Sequence, residues 1–187
     1  MHAFIGIALP DAIRTSLQQL QFELAQSHAD VKWVEPANLH VTLKFLDEIT
    51  EAQRTAVEVM LREVAEQHAP FMLSLKQLGA FPSAEAPRVI WVGLEEGKEL
   101  TRAIAEQIEA HGVRLSLRKE ERQFAAHLTL GRVRSPKHRD ALAQQMRVSQ
   151  WQSPSPWQVS ALTLYQSVLD AGGPRYTVLA DIPLSKA

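Results

Sequence analysis

Two stretches of the sequence follow one pattern, Leu39-His40-Val41-Thr42-Leu43 and Ala126-His127-Leu128-Thr129-Leu130, and their histidines lie 87 residues apart. Apolar and polar residues alternate in both, as in a half-buried β-strand. Side chains two positions apart on a strand point to the same side. Each copy therefore predicts one imidazole and one hydroxyl on one face, opposite aliphatic side chains. A repeated strand motif in a chain of 187 residues predicts two similar lobes.

The sequence around the two copies predicts an α+β protein. Apolar stripes predict a helix from Pro10-Asp11 to about His28, a second one between a Thr50/Gln53 capping box and Pro70, and a third one that ends at Gly112. Ser135 and Pro136 predict the N-cap and first residue of a fourth helix. Strands are predicted at residues 3–9, 31–34, 39–46, 71–78, 88–94, 124–133, 159–168 and 175–179, with a loop at 79–87. Because no long polar linker interrupts this order, we expect one domain over residues 1–187.

The composition excludes several classes of protein. Charged residues make up 22% and hydrophobic residues 45%, which is typical of globular proteins and excludes a disordered chain. No apolar run reaches the roughly 18–20 residues of a membrane span, and the run at 3–9 meets Pro10-Asp11 too early for a signal peptide. The absence of cysteine excludes disulfides, thiolate metal sites and thiol nucleophiles. It also favours a cytoplasmic location.

Charge is distributed unevenly along the chain. The formal net charge is −1, which argues against a nonspecific nucleic-acid binder. Residues 113–139, however, carry eight basic and two acidic side chains, or +6, so the remaining 160 residues carry −7. Such a block is either a solvated surface or a local site for an anionic ligand. The residues inside the block, which include the second motif copy, decide between these two interpretations.

The paired motifs suit metal-independent cleavage of a phosphoester. In-line attack on phosphorus needs a base on one side, an acid on the other, and donors for the non-bridging oxygens. Histidine can serve as either acid or base near neutral pH, and the hydroxyls of Thr42 and Thr129 can donate hydrogen bonds to phosphoryl oxygens. Arg132 could add charge-assisted donors. Strict alternation places Arg132 on the face opposite His127, so a bulge at Gly131 or the strand end is needed to bring it round.

Other interpretations of these residues are weaker. A single His-x-Thr on a strand usually makes a structural hydrogen bond between strands. Two copies on equivalent strands favour a functional site instead. A metal site is disfavoured, because each copy supplies one imidazole without a second histidine two or four residues away. No Gly-x-Ser-x-Gly elbow, P-loop or Gly-x-Gly-x-x-Gly phosphate loop occurs, which disfavours serine hydrolases and common nucleotide-binding folds.

The sequence resembles the two-histidine phosphoesterases, specifically the RNA 2′,3′-cyclic phosphodiesterases formerly called 2′-5′ RNA ligases. The resemblance covers nearly the whole chain. The matching segments are Phe4–Pro10, Lys32–Val34, Asn38–Leu46, Gly79–Pro82, Arg88–Leu94, His127–Arg132, Leu164–Ser167 and Tyr176. It implies a bilobal α+β fold in which two antiparallel sheets face a central cleft, with helices outside and one His-x-Thr from each sheet.

The same resemblance implies hydrolysis of a 2′,3′-cyclic phosphate on RNA ends or nucleotides to a 2′-phosphate; whether the reverse 2′-5′ ligation matters is left open. His127 is expected to accept the proton of the attacking water and His40 to protonate the departing 3′-oxygen. Thr42, Thr129 and Arg132 are expected to hold the phosphate, and Phe4 either stacks on a base or belongs to the core. Asp47 and Ala126 stand where this family commonly has glycine and proline.

The sequence also gives expectations for cofactors and partners, and it leaves two alternative functions. We expect no metal, no cofactor, no membrane association and a monomer. A non-catalytic nucleotide- or RNA-binding module on the same scaffold is one alternative function. Another is the same chemistry on an ADP-ribose derivative or another small cyclic phosphate.

Overall fold

The structure, a computed structural model that describes residues 1–187, contains four α-helices and ten β-strands. The helices are α1 (Asp11–Ala25), α2 (Glu51–Ala65), α3 (Lys98–Arg114) and α4 (Arg139–Val148), with a 3-10 turn at Pro36–Asn38. The strands are β1 (His2–Ala8), β2 (Val31–Trp33), β3 (His40–Glu48), β4 (Phe71–Leu73), β5 (Leu75–Pro82), β6 (Pro87–Leu94), β7 (His127–Val133), β8 (Trp157–Val159), β9 (Ala161–Asp170) and β10 (Gly173–Pro183).

Two four-stranded antiparallel sheets carry one motif each. The first sheet has the order β10-β9-β1-β3, and β3 carries His40. The second sheet has the order β2-β7-β6-β5, and β7 carries His127. The expected α+β class with two antiparallel sheets is confirmed. No helix combines the length and the apolar character needed to cross a membrane.

The two halves of the chain exchange strands. With the chain divided between β5 and β6, β1 and β3 of the first sheet come from the first half and β9 and β10 from the second. In the second sheet β6 and β7 come from the second half and β2 and β5 from the first. The remaining pair, β4 and β8, joins one strand from each half in a two-stranded sheet. Each sheet is therefore incomplete without the other half of the chain.

Because of this exchange, we propose that residues 1–187 unfold as one cooperative unit. Tryptophan fluorescence and far-ultraviolet circular dichroism should report coincident denaturant transitions, and the calorimetric and van't Hoff enthalpies should agree. Two separate transitions would instead show that the lobes are independent domains.

Apolar stripes attach the helices to the sheets, as the sequence predicts. On α1 the side chains of Ile13, Leu17, Leu20 and Leu24 are buried. On α2 the predicted capping box is present, with Thr50 Oγ1 accepting from the Gln53 backbone N–H and Gln53 Oε1 accepting from the Thr50 N–H. Helix α2 packs on β9 and β10 and on α3, which in turn packs on β3. The core is one continuous cluster that spans both sheets.

Several predicted boundaries are wrong, each for a reason of tertiary packing. The predicted loop at 79–87 is mostly strand: β5 continues to Pro82 and β6 begins at Pro87. Gly79 there is covered by the indole of Trp91, 2.3 Å from where a Cβ would lie, so it provides space and not a turn. The predicted strand at 71–78 is two strands, because β4 pairs with β8 and β5 with β6.

The two predicted helix boundaries at Gly112 and Ser135 are also wrong. Helix α3 continues to Arg114, and Gly112 lies inside it, where a Cβ would be 3.3 Å from Cε of Lys44. Helix α4 begins at Arg139 after His138 in the left-handed conformation, whereas Ser135 Oγ accepts from the Lys137 N–H. Both residues serve local packing or a turn, and not a helix end.

The strand ends shift in the same way. Residues 124–126 lie outside β7, which begins at His127 beside its last partner on β6, Gly93. The strand predicted at 175–179 extends over all of β10, because β9 pairs with it along its length. Residue 159 lies on β8, and a separate strand, β9, begins at Ala161.

Candidate active site

Each motif strand contains a β-bulge directly after its threonine. On β3, Gly6 pairs with Thr42 and Ile5 with Lys44, so Leu43 is the extra residue. On β7, Trp91 pairs with Thr129 and Ile90 with Gly131, so Leu130 is the extra residue. An extra residue reverses the side on which all later side chains point. The residue five positions after each histidine therefore returns to the histidine's face.

The residues brought round in this way are Phe45 and Arg132. Both are exposed, and the burial pattern from the histidine to this position is the same on the two strands. The charge of Arg132 acts on the histidine of its own strand and also on Tyr176 of β10, in the other sheet. Strands β3 and β7 approach each other at the junction of the sheets. The two motif strands are therefore neighbours, and the charge of Arg132 reaches groups in both sheets.

The His40 ring is fixed by two hydrogen bonds. Its Nδ1–H donates to the carbonyl of Asn38 at 2.7 Å, which leaves Nε2 2.7 Å from Oγ1 of Thr42. In the neutral ring Nε2 is the unprotonated nitrogen and accepts from the Thr42 hydroxyl. Aromatic side chains surround the ring, with centroids at 4.7 Å for Phe4, 5.4 Å for Tyr176 and 5.9 Å for Tyr165.

The His127 ring is held differently. Phe81 packs edge-on against it at 5.3 Å and Trp91 lies at 6.0 Å. Its buried Nδ1 has no hydrogen-bond partner, and the nearby Ala125 carbonyl accepts from the backbone N–H of His127 at 2.9 Å. The two imidazoles thus occupy equivalent strand positions in unequal surroundings: His40 is fixed by hydrogen bonds, and His127 by aromatic packing.

Burial lowers the pKa of both histidines. For His40, loss of hydration is the main cause, and the hydrogen bond to Asn38 offsets part of it. For His127, loss of hydration is the main cause and the Arg132 charge the second, while the Ala125 carbonyl offsets part of this decrease in the pKa. Burial raises the pKa of Tyr176, so its phenol stays neutral and able to donate. Both imidazoles are therefore neutral at pH 7 in the free protein.

These shifts predict an acidic pH optimum for any reaction that needs one protonated and one neutral histidine. The protonated fraction of a histidine with a lowered pKa falls about tenfold for each pH unit above that pKa. We expect kcat/KM to be highest below about pH 6.5 and kcat to peak at higher pH, because a bound anion favours the imidazolium. Rates measured across pH 4.5–9 test this, and an optimum of kcat/KM above pH 8 would contradict it.

Gly6 provides the space that lets the His40 ring lie over β1. A Cβ at this position would be 2.7 Å from the carbonyl oxygen of Val41 and 3.2 Å from Cδ2 of His40. Gly93 is the partner of His127 across the strands, but a Cβ there would make only ordinary contacts, the nearest at 3.6 Å.

We therefore expect Gly6→Ala to cost about 1–3 kcal/mol of stability and to lower kcat by tenfold or more through displacement of His40. Gly93→Ala is the matched control and should change kcat less than threefold. Thermal unfolding and steady-state kinetics of both variants are the measurement. Equal effects of the two substitutions would show that the His40 contact is not limiting.

Phe4, a candidate for stacking on a base, is only 3% exposed. It stacks on Tyr165 with a centroid distance of 4.9 Å and contacts the His40 ring, so it supports the histidine and offers little surface to a ligand. The exposed aromatic rings at the motif faces are Phe45, 52% exposed, and Phe81, 43% exposed. Sequence reasoning missed both, although Phe45 is five residues after His40 just as Arg132 is five after His127.

The described residues contain no group of three His, Asp or Glu side chains close enough to hold a metal ion. What the site does contain is two neutral imidazoles, two hydroxyls, one free guanidinium and a phenol. This set can transfer protons at two points and bind an anion. It has the chemical parts of an acid–base phosphoester-cleaving site.

A duplicated α+β chain with one His-x-Thr strand in each sheet has the architecture of the two-histidine phosphoesterases. The sequence profile of the family described as LigT like phosphoesterase matches residues 7–91 and again residues 92–176. The chain therefore belongs to the LigT-like phosphoesterase family. The boundary between the two matches lies within β6, a few residues after the point between β5 and β6 at which the strand exchange divides the chain.

Relatives and solved structures agree with this assignment. The chain is 37% identical to an RNA 2′,3′-cyclic phosphodiesterase of Archaeoglobus fulgidus, with 94% of this chain and 96% of the relative covered. It is 33% identical to one of Methanothermobacter thermautotrophicus, with 95% of each covered. The fold is similar to TT0787 of Thermus thermophilus, with a TM-score of 0.82, 27% identity and coverage of 100% and 99%. It is also similar to Escherichia coli LigT complexed with 3′-AMP, with a TM-score of 0.74, 25% identity and coverage of 99% and 98%.

Proposed function

We propose that this protein is a metal-independent RNA 2′,3′-cyclic phosphodiesterase that opens a ribose 2′,3′-cyclic phosphate to a 2′-phosphate. The observation that carries the proposal is the pair of His-x-Thr motifs on equivalent bulged strands, one in each sheet, with Arg132 on the same face of β7 as His127. Relatives named RNA 2′,3′-cyclic phosphodiesterase, similar over nearly the whole chain, support the same reaction.

In the proposed mechanism His127 is the base. Its neutral ring takes a proton from water as the water oxygen attacks phosphorus, and the Arg132 charge helps to keep the ring neutral beforehand. The bond between phosphorus and O3′ breaks on the opposite side. His40, which takes up a proton at Nε2 from solvent when the anionic substrate binds, gives that proton to O3′, while its Nδ1–H remains bonded to the Asn38 carbonyl. One water is consumed, and the product is a 2′-phosphate with a free 3′-hydroxyl.

The remaining polar groups hold the phosphate. We assign Thr42 and Thr129 to the non-bridging oxygens and Arg132 to the same phosphate by charge-assisted hydrogen bonds. Thr42 must first turn away from Nε2 of His40, with which it shares a 2.7 Å hydrogen bond. The exposed rings of Phe45 and Phe81 are the surfaces available to stack on the base.

The direct test is turnover of a nucleoside 2′,3′-cyclic phosphate by purified protein in EDTA. We expect hydrolysis with no loss of activity when metal ions are chelated. The product should be a 2′-phosphate, identified by ³¹P NMR against standards. A 3′-phosphate product would exchange the roles of His40 and His127. Tight binding of the nucleotide without turnover would instead identify a binding module. Parallel assays with oligonucleotide and ADP-ribose cyclic phosphates would establish the preferred substrate.

The same proposal includes a monomer in the cytoplasm that acts on RNA ends. A chain without cysteine is suited to a reducing compartment. Light scattering at the concentration used in the assay tests the monomer, and fractionation of expressing cells tests the location.

A further inference from the structure

Two cationic side chains lie directly opposite each other on neighbouring strands. Lys32 on β2 pairs with Arg132 on β7 in the antiparallel register, and both are exposed. Neither side chain has a carboxylate oxygen within the 4.0 Å that defines an ion pair, although the chain contains 21 acidic residues. Like charges directly opposite on one face of a sheet are destabilising. The fold therefore keeps an unfavourable pair that a bound anion would relieve.

Packing on the other side of the sheet fixes the direction of Lys32. Val31 and Trp33, its neighbours on β2, each come within 2.9 Å of where a Cβ of Gly131 would lie. Since they fill the core side, Lys32 points to the side that carries Arg132. Its Nζ extends to the β9–β10 hairpin of the first sheet, 3.7 Å from the position of a Cβ on Gly173.

A second contact holds this hairpin close to the motif. Nδ2 of Asn38 donates to the Pro174 carbonyl at 2.8 Å, and the carbonyl of the same Asn38 accepts from His40. Lys32 is therefore placed beside Arg132, between the second sheet and a hairpin that is tied through Asn38 to His40.

We propose that Lys32 binds a second phosphate of the substrate, the one on the 5′ side of the terminal nucleotide. The inference rests on the proposed function, in which Arg132 holds the cyclic phosphate. Directly opposite residues of an antiparallel pair have Cα atoms about 4.5–5.5 Å apart, so the two cations can contact neighbouring phosphates of one nucleotide. Lys32 then determines substrate class: it favours an RNA end over a free nucleoside cyclic phosphate.

The experiment compares Lys32→Met with the wild-type protein on three substrates. These are a nucleoside 2′,3′-cyclic phosphate, the same compound with a 5′-phosphate, and a dinucleotide ending in a 2′,3′-cyclic phosphate. We expect the variant to lose about tenfold in kcat/KM on the dinucleotide, mainly through KM, and less than twofold on the nucleoside. The 5′-phosphorylated nucleotide shows whether a monoester suffices in place of the diester of an RNA chain.

Two variants and a salt series complete the design. Lys32→Arg retains the charge and should retain the dinucleotide preference, and Lys76→Met removes an exposed lysine from the opposite edge of the same sheet without effect. For the dinucleotide, the slope of log kcat/KM against log salt concentration should become shallower by about 0.7 in Lys32→Met, which corresponds to the loss of one phosphate contact.

Three results would overturn the inference. Equal losses on all three substrates would assign Lys32 to the cyclic phosphate or to folding, as would a lowered Tm of Lys32→Met without ligand. No loss on any substrate would show that Lys32 binds nothing. If the wild-type protein turned over none of the three, the proposed function itself would fail, which is a separate outcome.

Discussion

Replacing His127 with alanine is expected to lower kcat by about 10²–10⁴, because the variant lacks the base that takes the proton from water. His40→Ala should cost a similar factor, because the departing 3′-oxygen then leaves without a proton. Since the two groups act in one step, the double variant should be little worse than either single variant. Single-turnover assays with a nucleoside 2′,3′-cyclic phosphate are sensitive enough to measure such losses.

A structural explanation of these losses can be excluded by controls. His2 is an exposed histidine on β1, and His2→Ala should retain full activity and stability. Both active-site variants should keep the wild-type Tm to within a few degrees, because neutral partly buried rings are being removed from an intact sheet. Undiminished turnover by either variant would contradict the mechanism. Losses that multiply in the double variant would contradict the single concerted step.

Glu109→Gln is expected to destabilise the protein by about 3 kcal/mol, or about 6–12 °C in Tm. The ammonium of Lys44 is buried with a side-chain exposure of 3%, and it donates to Glu109 Oε2 at 2.6 Å and to the Arg118 carbonyl at 2.7 Å. Removing the carboxylate charge leaves a buried ammonium with neutral acceptors alone, the Arg118 carbonyl and the amide oxygen of the new glutamine. An uncompensated buried charge is the costly outcome of breaking such a pair.

Lys44→Met should cost much less, below about 1 kcal/mol. It removes the buried charge itself, and Glu109 is 29% exposed and still accepts from the Glu120 N–H. Thermal unfolding of both variants measures this asymmetry, with Glu51→Gln on the exposed start of α2 as a control. Equal costs would show that the energy of the pair is not dominated by the desolvated lysine.

The pH dependence of this ion pair has a definite sign. Burial alone would raise the pKa of Glu109, but hydrogen bonds from Lys44 and from the Glu120 N–H, with the charges of Lys44 and Lys119, lower it overall. A carboxylate with a lowered pKa stabilises the fold above its ordinary pKa and loses this contribution as the pH falls through the lowered value. The stability difference between wild type and Glu109→Gln should therefore shrink below about pH 4.

The residues that local sequence could predict are those whose role follows from strand or helix periodicity. His40, Thr42, His127 and Thr129 were predicted to lie on strands in two pairs, and each pair lies on a strand. The capping box of α2 was predicted because both of its partners lie within four residues. The family was identified correctly, since its matching segments run through nearly the whole chain.

What local sequence could not predict depends on pairing between distant strands. The bulges after Thr42 and Thr129 are defined by the register against β1 and β6, and without them alternation places Arg132 on the wrong face. The rings around His40 come from β1, β9 and β10, and the outermost two, Phe4 and Tyr176, are 172 residues apart in the sequence. The sequence predicts a helix end at Gly112 because glycine is common there. In the structure Gly112 instead allows close packing against Lys44, and the local sequence cannot distinguish these two roles.

The structure explains why Asp47 can occupy a position where the family commonly has glycine. Asp47 has a φ of 55°, in the left-handed region where glycine is most favourable and aspartate is tolerated. Its carboxylate pairs with Arg118, whose carbonyl accepts from Lys44. The residue thus keeps the backbone conformation that a glycine would give and adds an anchor for the segment that leads to β7.

The exchange of β5 and β9 between the sheets has a consequence for the origin of the molecule. A chain containing only one half would have a sheet that lacks a strand and a spare strand that its own sheet cannot use. Two identical copies of such a chain would complete each other around a twofold axis, with the counterparts of β4 and β8 paired across it. The cleft would then have been symmetric, with the same histidine serving as acid or base. In the present chain the two halves differ, and Phe45 occupies in one half the place that Arg132 occupies in the other.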